Sequence, residues 1–357
     1  MSTAIALRRI GIAVDLVEIE PQWRVAGAGI TLTGPTLRAF DDLGVYDEVA
    51  SRGYVGEGIR VCNVAGEFVR DLATPMPAGA GVAGSGGITR PVLHNILSTR
   101  TITVGTRIRT GVSVAALAQD AIGVGVAFSD GSTGRYDCVI GADGVNSHIR
   151  ELIFADPPRP EYTGQSVWRT FVPRPQDIDR RHYFLGGPAK VGFTPVSDQE
   201  MYLFAVEQTP RVFREPHELL DGLAAVLEGY GGIVQQFRES LTPRSKIVFR
   251  PQEVFVLPTP WHRGRVLLVG DAAHPTTPQL ASGAGLAAED ALVLADELDA
   301  TGLIPEAFAA FEKRREHRCR MVADSSSEIG RLERAGAPPA AQTAVVERVL
   351  AQLMEPI

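Results

Sequence analysis

The residues of this chain that could do chemistry are concentrated at 265–291, RVLLVGDAAHPTTPQLASGAGLAAEDA. A buried strand is predicted to end at Gly270, so Asp271 lies at its carboxyl end, where open α/β sheets place their ligands. Gly283 and Gly285 then open a helix whose first amides and positive dipole end point toward the same place. A carboxylate there can accept hydrogen bonds from sugar or ribitol hydroxyls, and the helix start can hold a pyrophosphate or stabilise a reduced, anionic flavin. The alternative is that Asp271 only caps a turn and the glycines only end a loop.

A second acidic motif lies at 137–150, DCVIGADGVNSHIR. Asp143 precedes Gly144 at the end of a predicted strand, and Ser147 and Arg150 follow on the next turn. The pattern alone is equally typical of an Asp-Gly turn followed by a capped helix. The presence of the first motif favours the interpretation that this segment is part of a functional cleft.

Glu18 ends a predicted strand at 14–18, which reads as the second strand of a Rossmann unit. An acid at that place binds a ribose about 20 residues after a glycine-rich fingerprint, and counting back by that distance passes beyond residue 1. We therefore expect the G-x-G-x-x-G loop and the strand that feeds it to be missing from this chain. The helix predicted at 3–10 is the one that should follow them. The alternative for Glu18 is a solvated strand end.

Arg90 follows a Gly/Ala-rich loop at 78–87 and precedes a predicted helix. A guanidinium suits phosphate binding because its planar fork bonds phosphate oxygens in pairs, although a lone arginine before a helix is more often a surface residue. His274 and His94 are predicted to be structural, since the sequence fixes no acidic partner for either. The sequence has no Cys/His spacing typical of a metal site and no G-x-S-x-G hydrolase motif.

Composition narrows the function classes. The 357 residues include 35 basic and 42 acidic ones, a formal net charge of −7, without a long run of like charge, which argues against a nucleic-acid binder and a polybasic membrane anchor. No stretch has the length of a membrane span, and the N-terminus lacks the features of a signal peptide. Cys62, Cys138 and Cys319 have no C-x-x-C spacing and indicate reduced side chains in a cytoplasmic protein.

Hydrophobic periodicity predicts the elements that must position these residues. Helical patterns cover 3–10, 34–50, 91–97, 216–229, 284–299, a long helix from Pro305, and a last amphipathic helix after a linker at 335–341. Strand patterns cover 14–18, 59–62, 67–72, a hairpin of 122–128 with 136–140, several alternating strands over 164–208, and 265–269. The predicted fold class is α/β, with a Rossmann-like domain at 1–150 and 256–335 that lacks its first strand, an inserted antiparallel-sheet substrate domain at 151–255, and a linker and C-terminal helix at 336–357.

Together these motifs resemble the flavin-dependent class A monooxygenases, aromatic hydroxylases with the para-hydroxybenzoate hydroxylase fold. The resemblance covers residues 1 to about 330 and is densest in the first motif, where it runs through Gly270, Asp271, Ala272, Ala273, His274, Pro278, Gly283, Gly285, Glu289, Asp290 and Ala291. It implies that the Rossmann-like part is an FAD-binding domain. One departure is that many members have a glycine followed by Gln or Ala where this chain has Ala281 and Ser282, which could change the loop over the flavin edge.

The resemblance also implies site residues. The cofactor-binding set comprises Glu18, Ile19, Arg24, Thr31, Arg90, Ile108, Asp143, Asp271, Ala281, Ser282, Gly283, Ala284 and Gly285. Within it, Asp271 binds the ribitol and Arg90 reaches the phosphates. Comparison with urate, salicylate and 6-hydroxynicotinate hydroxylases implies that Lys190, Tyr202 and Pro278 face the substrate. The alternative is that Tyr202 and Phe204 are ordinary core aromatics.

The activity that the resemblance implies is hydroxylation of a small aromatic or heteroaromatic substrate. NAD(P)H would reduce FAD, the reduced flavin would add O₂, and its C4a-hydroperoxide would transfer one oxygen atom to the ring, so that no side chain need act as a nucleophile. Two alternatives stay open. One is another FAD oxidoreductase on the same fold. The other is an N-terminally truncated, FAD-poor binding protein without activity, unless the true start codon lies upstream. A monomer or homodimer is expected.

Overall fold

The computed structural model describes residues 1–23 and 27–357. Its helices are α1 (Ser2–Arg9), α2 (Gly34–Asp42), α3 (Tyr46–Arg52), α4 (Arg90–Thr103), α5 (His148–Ile153), α6 (Leu219–Val226), α7 (Gly232–Ser240), α8 (Gly283–Thr301), α9 (Ile304–Arg334) and α10 (Pro339–Leu353). Its strands are β1 (Asp15–Glu18), β2 (Gly29–Thr33), β3 (Tyr54–Gly56), β4 (Ile59–Cys62), β5 (Phe68–Leu72), β6 (Ser85–Thr89), β7 (Arg107–Thr110), β8 (Val114–Gln119), β9 (Val124–Phe128), β10 (Thr133–Tyr136), β11 (Val139–Gly141), β12 (Glu161–Pro173), β13 (Arg181–Phe184), β14 (Ala189–Pro195), β15 (Glu200–Gln208), β16 (Val248–Val254), β17 (His262–Arg263) and β18 (Val266–Leu268). None of the described helices is both long enough and apolar enough to cross a membrane.

Two parallel strand pairs form the Rossmann-like part of the molecule. β1 pairs with β7 and β11 pairs with β18, and β17 adds an antiparallel edge to β18. Within the described residues, β1 and β11 are not paired with each other, and each has one edge without a strand partner. The Rossmann order would place a first strand between them. That this strand is missing from the chain stays a prediction.

A seven-stranded sheet, in the order β16-β12-β15-β14-β13-β4-β5, forms the other large layer. Side chains alternate between its two faces. The outer face packs Trp168, Phe184 and Phe193 against α6 and α7. The inner face carries Arg169 and Tyr202, and it turns toward β2 and the loop before α8.

Residues 59–72 belong to this sheet, although the sequence analysis assigned all of 1–150 to the Rossmann-like part. β4 pairs in parallel with β13 and antiparallel with β5. The reason is packing, because Ile59 and Val61 bury their inward side chains in one apolar cluster with Tyr183. The other domain boundaries stay predictions.

Local backbone geometry changes the ends of two predicted helices. The helix predicted at 34–50 is two helices, because Gly44, with a φ of +72°, ends the first and a second begins at Tyr46. The linker predicted at 335–341 is shorter than expected, since the last helix already begins at Pro339.

The hairpin predicted around 130 is present but its second strand is divided. Tyr136 closes the antiparallel pair of β9 and β10. Val139, in the strand predicted to continue to 140, pairs in parallel with β18 instead. The chain therefore passes from a surface hairpin into the Rossmann-like sheet within three residues, which is too local a change for periodicity to reveal.

β2, β6 and β3 form a small antiparallel sheet that docks on the inner face of the seven-stranded sheet. The two sheets come close because a glycine lies at the contact, where a Cβ on Gly29 would be 2.6 Å from Tyr202 Cβ. A buried hydrogen bond joins Thr31 Oγ1 and Thr194 Oγ1, 2.9 Å apart, across the junction. The small sheet thus fixes the spacing between β2 and the inner face.

The substitution Gly29→Ala is expected to lower the free energy of unfolding by about 1–3 kcal/mol, because the added methyl group forces the two sheets apart. The matched change Gly81→Ala, where nothing lies within 4 Å of the new methyl group, is expected to stay within about 0.5 kcal/mol of wild type. Urea unfolding followed by circular dichroism measures both. Equal effects of the two substitutions would contradict this account of the junction.

Candidate active site

Asp271 lies just after β18, as predicted, in a short 3₁₀ turn that begins at Gly270. Its side chain is open to solvent, yet desolvation raises the pKa of its carboxyl group, while the charges of His274 and Arg90 oppose that rise. Gly270 adopts a φ of +57°, and a Cβ there would lie 3.2 Å from Ala287 Cβ. The turn therefore holds the carboxylate beside α8, and Asp271 with the start of α8 defines the candidate cofactor cleft.

No side chain of the described residues caps the start of α8, so the first backbone amides of this helix keep their hydrogen atoms for another acceptor. Gly285 is required there, because a Cβ would collide with Thr36 Oγ1 on α2. A helix start with free amides and a positive dipole end favours anionic groups. The segment 283–285 therefore offers the donors that a phosphate or an anionic ring needs.

Ala281 connects the preceding loop to α8 in a left-handed conformation, with a φ of +53°. This conformation costs a residue that carries a Cβ roughly 1–2 kcal/mol. Many members of the resembling family have glycine at this position, and the left-handed conformation gives that preference a physical reason. Ser282 Oγ donates to the carbonyl oxygen of Leu280 at 3.0 Å and helps to hold the loop in this shape.

Asp143 and Arg150 of the second motif have different roles. Asp143 accepts hydrogen bonds from Ser147 Oγ and, at 2.9 Å, from the amide of Ile149, so it stabilises the start of α5. This is the capping role that the sequence left open. Arg150, which is buried, donates to the carbonyl oxygen of Ala272 at 3.0 Å and so supports the turn after β18. A direct contact of Asp143 with a cofactor stays a prediction.

The remaining predicted cofactor residues are spread around the Rossmann-like part. Glu18 ends β1, Ile19 follows it with 66% of its surface exposed, and Ile108 lies on the neighbouring β7. Thr31 is instead buried at the junction of the two antiparallel sheets. Arg24 lies outside the described residues. The structure places Ile108 beside the strand that Glu18 ends, and contacts of Glu18, Ile19 and Ile108 with a cofactor stay predictions.

Arg90 is the first residue of α4, and it lies close enough to Asp271 for their charges to interact. Desolvation lowers the pKa of Arg90, the positive charge of Arg169 lowers it further, and Tyr202 and Asp271 act in the opposite sense. Arg90 thus lies within electrostatic range of both Arg169 and Asp271, at the boundary between α4, β18 and the inner face.

The three predicted substrate residues differ in accessibility. Lys190 is buried on the inner face and lies 3.3 Å from Glu333 Oε1 on α9, so its charge is already paired. Tyr202 is also buried on this face, and its hydroxyl group accepts a hydrogen bond from Arg169 Nε at 2.8 Å. Pro278 is exposed at the start of the 3₁₀ turn before α8.

A buried amide cluster, which the sequence analysis missed, joins the loop before α8 to the inner face. Gln279 Nε2 lies 3.2 Å from Gln165 Oε1 on β12 and 3.2 Å from Gln252 Oε1 on β16. Gln165 Nε2 donates in turn to Glu333 Oε2 at 2.9 Å. The four side chains of this cluster therefore connect the loop before α8 with β12, β16 and α9. These residues lie far apart in the sequence, so no local pattern indicates the cluster.

His274 has the acidic partner that the sequence analysis did not find. Its Nε2 lies 2.8 Å from Asp290 Oδ2, which also accepts from the amide of Gly270 at 2.8 Å. Arg315 Nε donates to the other oxygen, Oδ1, at 2.8 Å. Burial lowers the pKa of His274, but the adjoining Cys319 and Asp290 raise it well above its usual value, which favours the protonated ring beside the Asp290 carboxylate. The histidine is structural, as predicted, but through an ion pair.

The network continues along the contact between α8 and α9. Glu289, next to Asp290, binds Arg315 and Arg318 at 2.8 Å each. His274, Asp290 and Cys319 also place possible metal ligands within 4.8 Å of one another. Because the Asp290 carboxylate already accepts from an arginine, a histidine and a backbone amide, we assign this group to ion pairing.

Asp290→Asn is expected to lower the free energy of unfolding by about 3–5 kcal/mol, because two buried cations lose their carboxylate. The pKa of His274 is higher in the folded than in the unfolded state. Its contribution to the free energy of unfolding is therefore complete at pH values below the unfolded-state pKa, and it is lost as the pH rises through the folded-state pKa. The difference in the free energy of unfolding between wild type and Asp290→Asn should therefore become smaller at alkaline pH. Urea unfolding across a pH series measures this.

The control is Asp296→Asn on the same helix, where the carboxylate is 63% exposed and lies 3.4 Å from Arg314. This change is expected to cost at most about 1 kcal/mol. NMR of the imidazole ring gives a second readout, with His274 protonated at neutral pH in wild type and neutral in Asp290→Asn. Comparable losses of unfolding free energy in Asp290→Asn and Asp296→Asn would contradict the buried ion-pair network.

Ala281→Gly is expected to leave stability unchanged or to raise it by up to about 1 kcal/mol, because relief of the left-handed strain outweighs or balances the added chain entropy. The control Ala309→Gly, at an exposed interior position of α9, is expected to lose about 1 kcal/mol. Thermal unfolding compares the two. A loss at position 281 as large as that at 309 would argue against strain in the loop.

Comparison with known proteins agrees with this geometry. A family model described as an FAD binding domain matches residues 1–324. 2-Heptyl-3-hydroxy-4(1H)-quinolone synthase of Pseudomonas aeruginosa (strain UCBPP-PA14) is 32% identical over 333 residues, which cover 91% of this chain and 84% of that protein. Aurachin C monooxygenase/isomerase of Stigmatella aurantiaca is 29% identical over 344 residues, covering 93% and 86%.

The fold is also found among solved structures. That of Klebsiella pneumoniae HpxO in complex with FAD and uric acid superposes with a TM-score of 0.83 at 25% sequence identity, covering 99% of this chain and 90% of that one. The predicted α/β class is confirmed, FAD is the cofactor, and NAD(P)H as co-substrate is consistent with the family. The chain belongs to the FAD-dependent monooxygenases of the FAD-binding-domain family and is an oxidoreductase.

Proposed function

We propose that this chain hydroxylates a small aromatic or heteroaromatic compound with NAD(P)H and O₂. The observation that carries the proposal is the junction of two surfaces. The cleft at Asp271 and the start of α8 meets the aromatic inner face of the seven-stranded sheet through the loop of Gln279. The uric acid bound to the Klebsiella pneumoniae relative, a heteroaromatic compound, supports this substrate class.

The chemistry of the cleft fits FAD. Asp271 is a hydrogen-bond acceptor suited to ribitol hydroxyls, and Arg90 is a donor suited to phosphate oxygens. The uncapped amides at 283–285 favour negative charge on the pyrophosphate or the ring. Gly285 lets α8 approach α2 closely enough to keep these amides at the cleft. Glu18 would bind the ribose of the adenosine half.

Bound FAD supplies hydride acceptance from NAD(P)H and activation of O₂ for insertion of one oxygen atom. The protein contributes position and environment. The aromatic side chains of Phe171, Tyr202 and Phe204 cluster on the inner face and would hold a flat ring and exclude water. The positive end of α8 stabilises negative charge that develops in the cleft. Pro278, which is exposed at the start of the 3₁₀ turn, would border the substrate.

Anaerobic stopped-flow mixing of the FAD-saturated protein with NADH or NADPH tests the proposal. Either nicotinamide should bleach the flavin absorbance, and aromatic candidates should accelerate the bleaching. Mass spectrometry after turnover in isotopically labelled O₂ should find one labelled oxygen atom in the product. If neither nicotinamide reduces the flavin with any candidate present, the proposed function is wrong.

Asp271→Asn is expected to weaken FAD binding about 10- to 100-fold, because hydrogen bonds to a charged acceptor contribute roughly 1.5–3 kcal/mol. Desolvation raises the pKa of Asp271. On acidification, the FAD affinity of wild type should therefore begin to fall at a higher pH than it would with an ordinary aspartate. The variant should lack this step. Fluorescence titration with FAD measures both effects, with Asp296→Asn as the control, and unchanged affinity in Asp271→Asn would exclude the ribitol contact.

A further inference from the structure

Arg181, the first residue of β13, is a buried cation without an acidic partner among the described residues. The residue is only 3% exposed. Two atoms of its guanidinium group, Nε and Nη2, are buried and have no hydrogen-bond partner within the described part of the chain. Desolvation lowers the pKa of Arg181, and the nearby Tyr183 opposes that fall only in part. The positive charge of this side chain is therefore not compensated by the residues described.

The preceding residue, Arg180, shows the opposite arrangement. Its guanidinium group donates to both carboxylate oxygens of Asp179, at 2.8 and 2.9 Å, and lies 3.8 Å from Asp71. Successive side chains of a strand point to opposite faces. Arg181 therefore shares a face with Tyr183, whose ring packs in a buried apolar cluster. The carboxylates of Asp179 and Asp71 are thus paired with Arg180 instead of Arg181.

Arg181 lines a small pocket where the small antiparallel sheet meets the seven-stranded sheet. The pocket is also lined by Ser85 of β6, Gly56 of β3 and Thr194 of β14. Its volume is about 10 Å³, which is room for one water-sized group. Ser85 is itself buried and carries a hydroxyl group that can donate a hydrogen bond. The pocket therefore offers donors and a positive charge to one small acceptor.

This pocket is separate from the aromatic patch around Tyr202. β14 lies between β13 and β15, so Thr194 lies on the strand between Arg181 and Tyr202. The small sheet covers Thr194, because its hydroxyl group is hydrogen-bonded to that of Thr31 on β2. A Cβ on Gly87 of β6 would be 2.5 Å from Thr194 Cγ2, so the contact is closed. A ligand beside Arg181 would therefore contact the junction of the sheets and not a ring that lies on Tyr202.

The size and charge of the pocket together select its ligand. Glu57 is the acidic residue among those that line it, but its side chain is exposed and does not pair with Arg181. A water molecule would fill the volume and leave the charge uncompensated, and a buried cation without a counterion is costly. Phosphate, sulfate and carboxylate groups need more room than one water-sized group. A halide ion is close to this size and carries the missing negative charge.

We propose that the pocket at Arg181 binds one halide ion, such as chloride, and that this ion fastens the small antiparallel sheet to the seven-stranded sheet. The ion would accept charge-assisted hydrogen bonds from the guanidinium group and a further hydrogen bond from the hydroxyl group of Ser85. It would stabilise the junction at which Thr31 meets Thr194. Such a site is independent of the proposed function, because it needs neither substrate nor turnover.

Calorimetric unfolding of the FAD-saturated protein tests the site, with chloride replacing gluconate at constant ionic strength and pH. Gluconate is too large for the pocket. The Tm of wild type should rise saturably with chloride, by about 2 °C at a tenfold excess over the dissociation constant. Arg181→Met should lose this rise. In gluconate its Tm should equal or exceed that of wild type, because an apolar side chain of similar length replaces an unpaired buried charge.

Three matched variants separate the site from general effects of salt. Arg250→Met removes an exposed arginine of β16, and Arg169→Met removes the half-buried guanidinium group beside Tyr202. Both should keep the chloride-dependent rise in Tm. Glu57→Gln should keep it as well, since its carboxylate is not the counterion of Arg181.

Crystals of the wild-type protein grown in sodium bromide give a direct readout that does not depend on the folding of any variant. Anomalous scattering should show a bromide ion within hydrogen-bonding distance of the Arg181 guanidinium group. Absence of that ion, equal Tm values of wild type in chloride and gluconate, or an unchanged rise in Arg181→Met would each overturn the proposal. A rise confined to Glu57→Gln would identify Glu57 as the counterion in wild type and would overturn it too.

Discussion

The carboxylate of Asp290 is the group on which the cofactor cleft depends. One oxygen binds Arg315 of α9, and the other accepts from the amide of Gly270 and lies against the ring of His274. A shift of α8 relative to β18 would leave buried charges unpaired, at a cost of several kcal/mol. The start of α8 is therefore held from its third turn, and its first amides stay available to a cofactor beside Asp271.

The loop between the two functional surfaces is strained, and its contacts explain why the strain persists. A non-glycine residue in a left-handed conformation is retained only where the surrounding structure over-determines it. Ala281 meets that condition, because Gln279 is bonded to β12 and β16 on one side and the start of α8 follows on the other. The loop is thus a rigid connection, and a displacement of the sheet would be transmitted to the start of α8.

The features that could be predicted from the sequence are those that a few consecutive residues form. The turn at Asp271, the glycines at 283–285 and the capped start at Asp143 are each set by a few consecutive residues, so local chemistry predicted them. It missed the partner of His274, which lies sixteen residues away, and the link from Gln279 to Gln165, across 114 residues. Such pairs depend on how sheets and helices pack, and no spacing rule in one sequence encodes that.

The same limit applies to charge on the inner face. Lys190 and Arg169 both occupy alternating positions of sheet strands, and the residue types alone give no reason to prefer one as a ligand for an anion. The deciding residue is Glu333, which comes from the end of a 31-residue helix more than 140 positions later. Burying an ion pair is costly unless both charges are satisfied. Separating Lys190 from Glu333 would leave two buried charges unpaired, so this pair is expected to persist. Arg169 is half-buried, and within the described residues its hydrogen-bond partner is the hydroxyl group of Tyr202 and no carboxylate pairs with it.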